Sequence, residues 1–187
     1  MILKLFRPTP PADTIARLYG TIVAQARIPA FYQIYGVPDT VAGRLEMIML
    51  HMVLVLRHFE RGPASLRALG QGLFDAFCRD LDDNVREIGV GDLAMPRTMR
   101  RIGEAFYGRQ AVYRAALDAS EDERLAAALQ RNVFAGRTQP RVAFWLALYV
   151  RESVRRIAAQ DQLERAQLAF PDPKQVLLQA RQTWINP

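Results

Sequence analysis

Across 187 residues the chain holds a single cysteine and two histidines, and its only lysines are Lys4 and Lys174. One thiol, Cys78, excludes a disulfide framework and a cysteine-based zinc site. His51 and His58 leave little for a histidine-ligated metal or a histidine-dependent catalyst. No apolar run is long enough to cross a bilayer: the most apolar stretch, Leu45 to Leu56, contains Glu46 and His51. As a helix that stretch would span about 18 Å, against a hydrocarbon core of about 30 Å. The opening residues, MILKLFRPTPP, reach prolines before any long hydrophobic region develops, so no secretory signal is visible. The expected location is therefore cytoplasmic, with peripheral attachment at the inner face of the cytoplasmic membrane compatible with the charge.

Other absences narrow the chemistry. No phosphate-cradling glycine loop is present, and neither the serines nor Cys78 sit in a nucleophile motif. There is no helix-turn-helix signature and no aromatic RNA-stacking motif, which argues against a DNA partner. The residues point to no catalytic group, no metal and no cofactor.

What remains is a chain that is half hydrophobic and a quarter charged, with 25 basic residues against 19 acidic ones. At this length one domain can bury a core without staples, so residues 1–187 are expected to form a single helical domain. The positive balance is nearly all arginine and favours anionic neighbours such as lipid headgroups, RNA or an acidic protein.

Helical periodicity dominates. Ile15, Leu18, Tyr19, Ile22, Val23 and Ala26 mark one helix face, which Pro29 closes. A loop, PAFYQIYGVPDT, follows, and Asp39 or Thr40 can cap the next helix. That second helix is apolar almost all round and runs to the breaker Gly62-Pro63. Ser65 can cap a third, with Leu66, Leu69, Leu73, Phe77, Leu81, Val85 and Ile88 inward, stopped by Gly89 and Gly91. A fourth starts near Pro96 with Met99, Ile102, Phe106, Tyr113 and Leu117 inward. Ser120 to Glu123 reads as a capping box for a fifth, which stops near Gly136. Pro140 opens a sixth, and Phe170 to Pro173 separates it from a short helical tail over about 170–187. No segment alternates as a strand would. The expected fold is all-α, a bundle of six to seven helices.

Three constellations could carry function. Residues 73–92 hold Asp75, Asp80, Asp82, Asp83, Glu87 and Asp92 against two arginines, while 93–118 hold five arginines against two acids. Asp80, Asp83 and Glu87 share a helix face, as a magnesium-dependent prenyl-pyrophosphate enzyme would need. Such enzymes need a second acidic helix, which is missing here. The bland alternative pairs Arg79 and Arg86 along the helix, and Arg97, Arg100, Arg101 or Arg109 across to it. Arg109 or Gln110 falls where the apolar stripe should continue between Phe106 and Tyr113; a partly buried Arg109 needs an acidic partner, with Asp82, Asp83 and Asp92 as candidates. Finally, Met47, Met49, Met52, Met95 and Met99 suit either core filling or a groove for varied apolar segments.

Several segments together carry a family resemblance. They are Phe31-Tyr32, Val37 to Thr40, Gly43-Arg44-Leu45-Glu46 through Leu50-His51, and Leu54 to Arg57. Leu73 to Phe77, the stretch Asp80 to Leu93, and Ala105-Phe106-Tyr107-Gly108-Arg109 follow in the same order. Over about residues 14–160 the chain resembles the ubiquinol–cytochrome c chaperone family. The resemblance implies a non-catalytic assembly factor of the bc1 complex whose client is nascent or unassembled cytochrome b. It further implies contact with the ribosome near the tunnel exit, and the basic balance adds an anionic membrane surface. By motif position, Asp39, Arg44, Asp82, Asp83, Arg86, Asp92 and Arg109 are candidate partner contacts. Phe31, Tyr32 and Tyr35 offer amphipathic side chains that either meet a partner or lid the helical core.

Overall fold

The computed structural model describes residues 11–87, 89, 91–161, 163 and 167–185, with side chains to residue 182. Eight helices and no strands occur among them: α1 (Ala12–Ala26), α2 (Pro29–Gln33), α3 (Val41–Arg61), α4 (Ala64–Glu87), α5 (Met95–Asp118), α6 (Asp122–Asn132), α7 (Pro140–Ala158) and α8 (Pro173–Ile185). The all-α expectation holds; Ile88, expected on the inner stripe of α4, lies outside the described residues. The additional helix is α2, a five-residue turn inside the segment read as loop. Pro29 ends α1 but also occupies the first position of α2, where its missing N–H costs nothing.

The central helix is α3. Every residue from Met47 to Leu56 is buried, because α1, α4, α5 and α7 surround it. Its start is fixed by Thr40, whose Oγ1 accepts the Gly43 N–H at 3.1 Å. Gly43 is required there for a second reason. A Cβ at this position would lie 2.0 Å from the Pro38 carbonyl oxygen, a backbone atom with no room to yield. Gly72 plays a similar part on α4, admitting the Ile15 side chain of α1.

Two helix starts differ from the sequence reading. Helix α4 begins at Ala64, so Ser65 lies inside its first turn and not at its cap. Helix α6 begins after Glu121, which makes no side-chain cap bond, and the Ser120 box is not formed. At its far end the Gly136 N–H returns to the Gln130 carbonyl at 2.8 Å, which requires the positive φ of 73° that glycine adopts freely.

A buried polar cluster ties α1, α2 and the segment entering α8 to this core. His51 is fully buried; its Nδ1 is 2.7 Å from the Met47 carbonyl and its Nε2 is 2.8 Å from the Tyr149 hydroxyl. A carbonyl only accepts, so Nδ1 carries the proton and Nε2 accepts from Tyr149. Gln25 Nε2 donates both to the Tyr149 hydroxyl and to the Pro171 carbonyl, at 2.9 and 3.1 Å. Tyr35 donates to the Pro173 carbonyl at 2.8 Å. The rings of Phe31, Tyr35, Tyr149 and Phe170 close around His51. His51 is thus a satisfied core histidine, and burial pushes its pKa down to about 4.

That packing corrects part of the sequence reading. Phe31 and Tyr35 are both 0% exposed, so they lid the core and offer nothing to a partner from this surface. The physical reason is the turn that α2 begins: Phe31 within it packs on His51 and Tyr149, and Tyr35, just past its end, packs on Phe31 and Tyr149. Four of the five internal methionines, Met47, Met49, Met52 and Met95, are likewise buried; Met99 is half-buried.

Candidate functional site

Helices α3 and α5 pack against each other and are tied by polar contacts along the second half of α5. Glu46 meets Arg109, Glu60 meets Gln110 and Arg114, and Arg57 and Arg61 meet Asp118. Before the first of these contacts the two helices leave a groove of about 270 Å³. Ala42, Leu45 and Met49 form one wall, and Thr98, Ile102 and Ala105 the other, with Glu46 and Arg101 as polar members. The groove exists because α5 presents small or half-buried side chains here: Thr98, Ile102 and Ala105 do not fill the space that Phe106 and Tyr113 fill further on. Val41, at the head of α3, stands 76% exposed.

The Arg109 guanidinium grips the Glu46 carboxylate with two nitrogens, Nε at 2.7 Å from Oε2 and 3.0 Å from Oε1, and Nη2 also on Oε1. Both side chains are mostly buried. The hydrogen bonds to Glu46 hold the guanidinium pKa above its ordinary value. Arg109 therefore has the acidic partner its position demands, but that partner is Glu46 on α3. Asp82, Asp83 and Asp92 were the expected candidates; register between helices 63 residues apart in sequence cannot be read from composition.

On the α3 rim, Arg44 Nε donates to Asp39 Oδ1 at 2.7 Å, and its guanidinium lies 5.5 Å from the Tyr32 ring centroid. Tyr32 in turn donates to the Ala26 carbonyl at 2.7 Å. Asp39, Arg44 and Tyr32 thus form one stack at the head of α3. On the α4 side, Arg86 reaches Asp82 at 2.8 Å and Asp92 at 2.7 Å, stapling the end of α4 across the turn that Gly89 makes with φ of 87°. Cys78, Arg79, Asp82 and Asp83 line a shallow recess beside Met99. Burial, reinforced by Asp75, pushes the Cys78 thiol upward, so it stays protonated.

The acidic cluster is distributed among separate partners. Asp80 accepts from Tyr19 at 2.7 Å, and Asp82 and Asp92 are taken by Arg86. Among the described residues no three His, Cys, Asp or Glu side chains gather as a metal site would require. The α5 arginines also divide. Arg100, Arg109 and Arg114 face Glu104, Glu46 and Glu60, whereas Arg97 and Arg101 have no carboxylate in ion-pair range among the described residues. The candidate residues thus fall in two groups, around Arg44 and around Arg86, on helices that flank the first half of α5. The methionines raise a groove as one reading, and Met49 does line this one, but its place is not readable from the sequence because it is made by what α5 leaves unfilled.

Among the described residues no helix is long and apolar enough to cross a membrane. Residues 33–170 match the family of the ubiquinol-cytochrome C chaperone. No curated protein matches the chain. The crystal structure of the Cbp3 homolog from Brucella abortus superposes with a TM-score of 0.82 at 38% sequence identity, covering 94% of this chain and 99% of that one. The match starts later and ends later than the resemblance read from motifs, leaving α1 outside and taking in the segment that leads to α8. With the groove, Arg44, Arg86 and the Glu46–Arg109 clamp all inside the matched span, the chain belongs to the ubiquinol–cytochrome c chaperone family.

Proposed function

We propose that the chain is a non-catalytic assembly factor that holds newly made cytochrome b and promotes its incorporation into the bc1 complex. Family membership supports a chaperone role in bc1 assembly. The observation that carries the finer reading is the apolar groove between α3 and α5, inside the matched span and open to solvent. An apolar helix laid into such a groove buries surface that water would otherwise cover, the common mode of helix-in-groove recognition. Membrane-protein helices awaiting insertion need that cover.

In this reading polar selectivity comes from outside the groove. Asp39, Arg44 and Tyr32 at the head of α3, and Asp82, Asp83, Arg86 and Asp92 at the end of α4, meet client loops. Arg109 acts from below by holding α5 against α3 through Glu46. The protein works on the cytoplasmic side, peripheral to the membrane where the client inserts, and near the ribosome that makes it.

The test is genetic and biochemical. Deleting the gene should deplete the bc1 complex while other respiratory complexes persist, and tagged protein should co-purify unassembled cytochrome b. Ile102→Glu, which places a charge in the groove, should abolish that co-purification in a folded protein. Normal bc1 levels in the deletion strain would overturn the assignment, and full client capture by Ile102→Glu would remove the groove from it.

A further inference from the structure

Away from the groove, two guanidinium groups share one indole. Arg141, in the first turn of α7, lies 5.2 Å from the Trp145 ring centroid, and Arg181 of α8 lies 5.0 Å from it. Their charges are thus within about 10 Å of each other, a Debye length at 0.1 M salt. Among the described residues neither has a carboxylate in ion-pair range; Glu123 lines the same cleft between α6 and α7 as Arg141 without pairing with it. Both arginines stand at the surface. The first turn of α7 contains no acid, so the positive end of its dipole adds to the field.

Helix α8 extends this field. Between Pro173 and Ile185 it has no acidic residue. Val176 and Leu177 are buried; Lys174, Leu178 and Arg181, at intervals of four and three, share a face beside them, with Arg181 one turn on from Leu177 at the edge of the α7 contact. Leu178 is 59% exposed between the two cations. The one acid at this end is Asp172, whose Oδ1 accepts the Lys174 N–H at 2.8 Å ahead of the helix. A large aliphatic side chain left in water between two cations has no benefit for the folded core. It suits an interface that is anionic at its surface and apolar just beneath.

We propose that the α7–α8 face, through Lys174, Leu178, Arg181 and Arg141, docks on anionic phospholipid headgroups. The cations meet lipid phosphates, Leu178 enters the acyl boundary, and Trp145 holds the two guanidinium groups in place by cation–π contact. An acidic protein is the less fitting occupant, because the stripe has one sign of charge and an apolar centre with no alternating pattern to set a register. Docking here presupposes work at a membrane, as proposed above, but does not require the client groove; protein-free vesicles separate the two.

The experiment is sedimentation of the full chain with liposomes of phosphatidylcholine alone, or with about one-third phosphatidylglycerol, at low and moderate salt. Binding should need the anionic lipid and fall with salt. The double variant Arg141→Glu/Arg181→Glu should weaken it about tenfold or more, from about 1 kcal/mol per cation near the surface. Because Arg141 and Arg181 cover Trp145, a second variant, Lys174→Glu/Leu178→Ser, tests the face without touching the indole and should also lose binding. Circular dichroism checks that each variant is folded. Equal binding to neutral and anionic vesicles would overturn the proposal, as would wild-type binding by both variants. Binding to soluble polyglutamate with none to anionic vesicles would reassign the face to an acidic protein partner.

Discussion

The Tyr149 hydroxyl of α7 donates to His51 Nε2 of α3 at 2.8 Å while accepting from Gln25 of α1, and neither ring touches solvent. One phenolic oxygen therefore joins three helices. Tyr149→Phe keeps the ring packing but strands the His51 acceptor and one Gln25 donor. It should cost about 1–3 kcal/mol of unfolding free energy by urea titration, the usual penalty for buried polar groups left unpaired.

The same cluster makes stability depend on pH. His51 has its pKa lowered to about 4 in the folded protein by burial, against about 6.5 when the chain is unfolded. Between those values the unfolded chain binds a proton that the native state refuses, so acid favours unfolding. The neutral-histidine contribution is fully present above about pH 6.5 and is lost as pH falls toward 4, with a slope of at most about 1.4 kcal/mol per unit. His51→Leu should flatten the curve in that window. An unchanged slope in the variant would assign the acid sensitivity to other groups.

Removing one partner of the Glu46–Arg109 clamp leaves a half-buried charge alone. Arg109→Met and Glu46→Met should each destabilise by about 2–3 kcal/mol, and the double variant should recover part of the loss. Thermal or urea unfolding of the four proteins measures the coupling. Strict additivity would mean the carboxylate and guanidinium do not act as a pair.

Gly43 faces a backbone oxygen, so even one methyl group must displace the Pro38 carbonyl or the head of α3. Gly43→Ala should destabilise by about 1–3 kcal/mol despite alanine's better helix propensity. Gly20, where an added Cβ would meet nothing within 4 Å, serves as the control: there the same change should be neutral or stabilising.

Cys78 offers a simple chemical readout. Because burial and Asp75 raise its thiol pKa, alkylation by iodoacetamide at about pH 7.5 should be slower than in a free cysteine peptide and should speed up in denaturant. Rapid labelling of the native protein would show the thiol to be more open than its surroundings suggest.

Where local chemistry decides an outcome, the sequence was readable. Thr40 as a cap, Gly62-Pro63 as a breaker and Pro140 as a helix start each depend on neighbours within four residues, and each is found as expected. The burial of α3 on all sides follows from its composition in the same way. Features that depend on how helices meet were not readable. Arg109 announced that it needed a carboxylate but not which one, since Glu46 becomes its neighbour only once α3 and α5 are packed. Phe31 and Tyr35 have the same composition whether they lid a core or face a partner; the five-residue helix α2 and the turn after it settle their direction, and α2 is too short to announce itself by periodicity. The α3–α5 groove is a shortfall of volume, visible only when both walls are in place.

The fasteners at Pro171 and Pro173 bear on how the molecule is made. Gln25 and Tyr35 find their final acceptors in main-chain oxygens 146 and 138 residues further along the chain. During synthesis Tyr35 lacks this acceptor, and Gln25 the second of its two, until that later stretch has been translated. Completion of the aromatic centre thus waits for the two proline carbonyls, and a product truncated before them would leave the Tyr35 hydroxyl and one Gln25 donor without their partners.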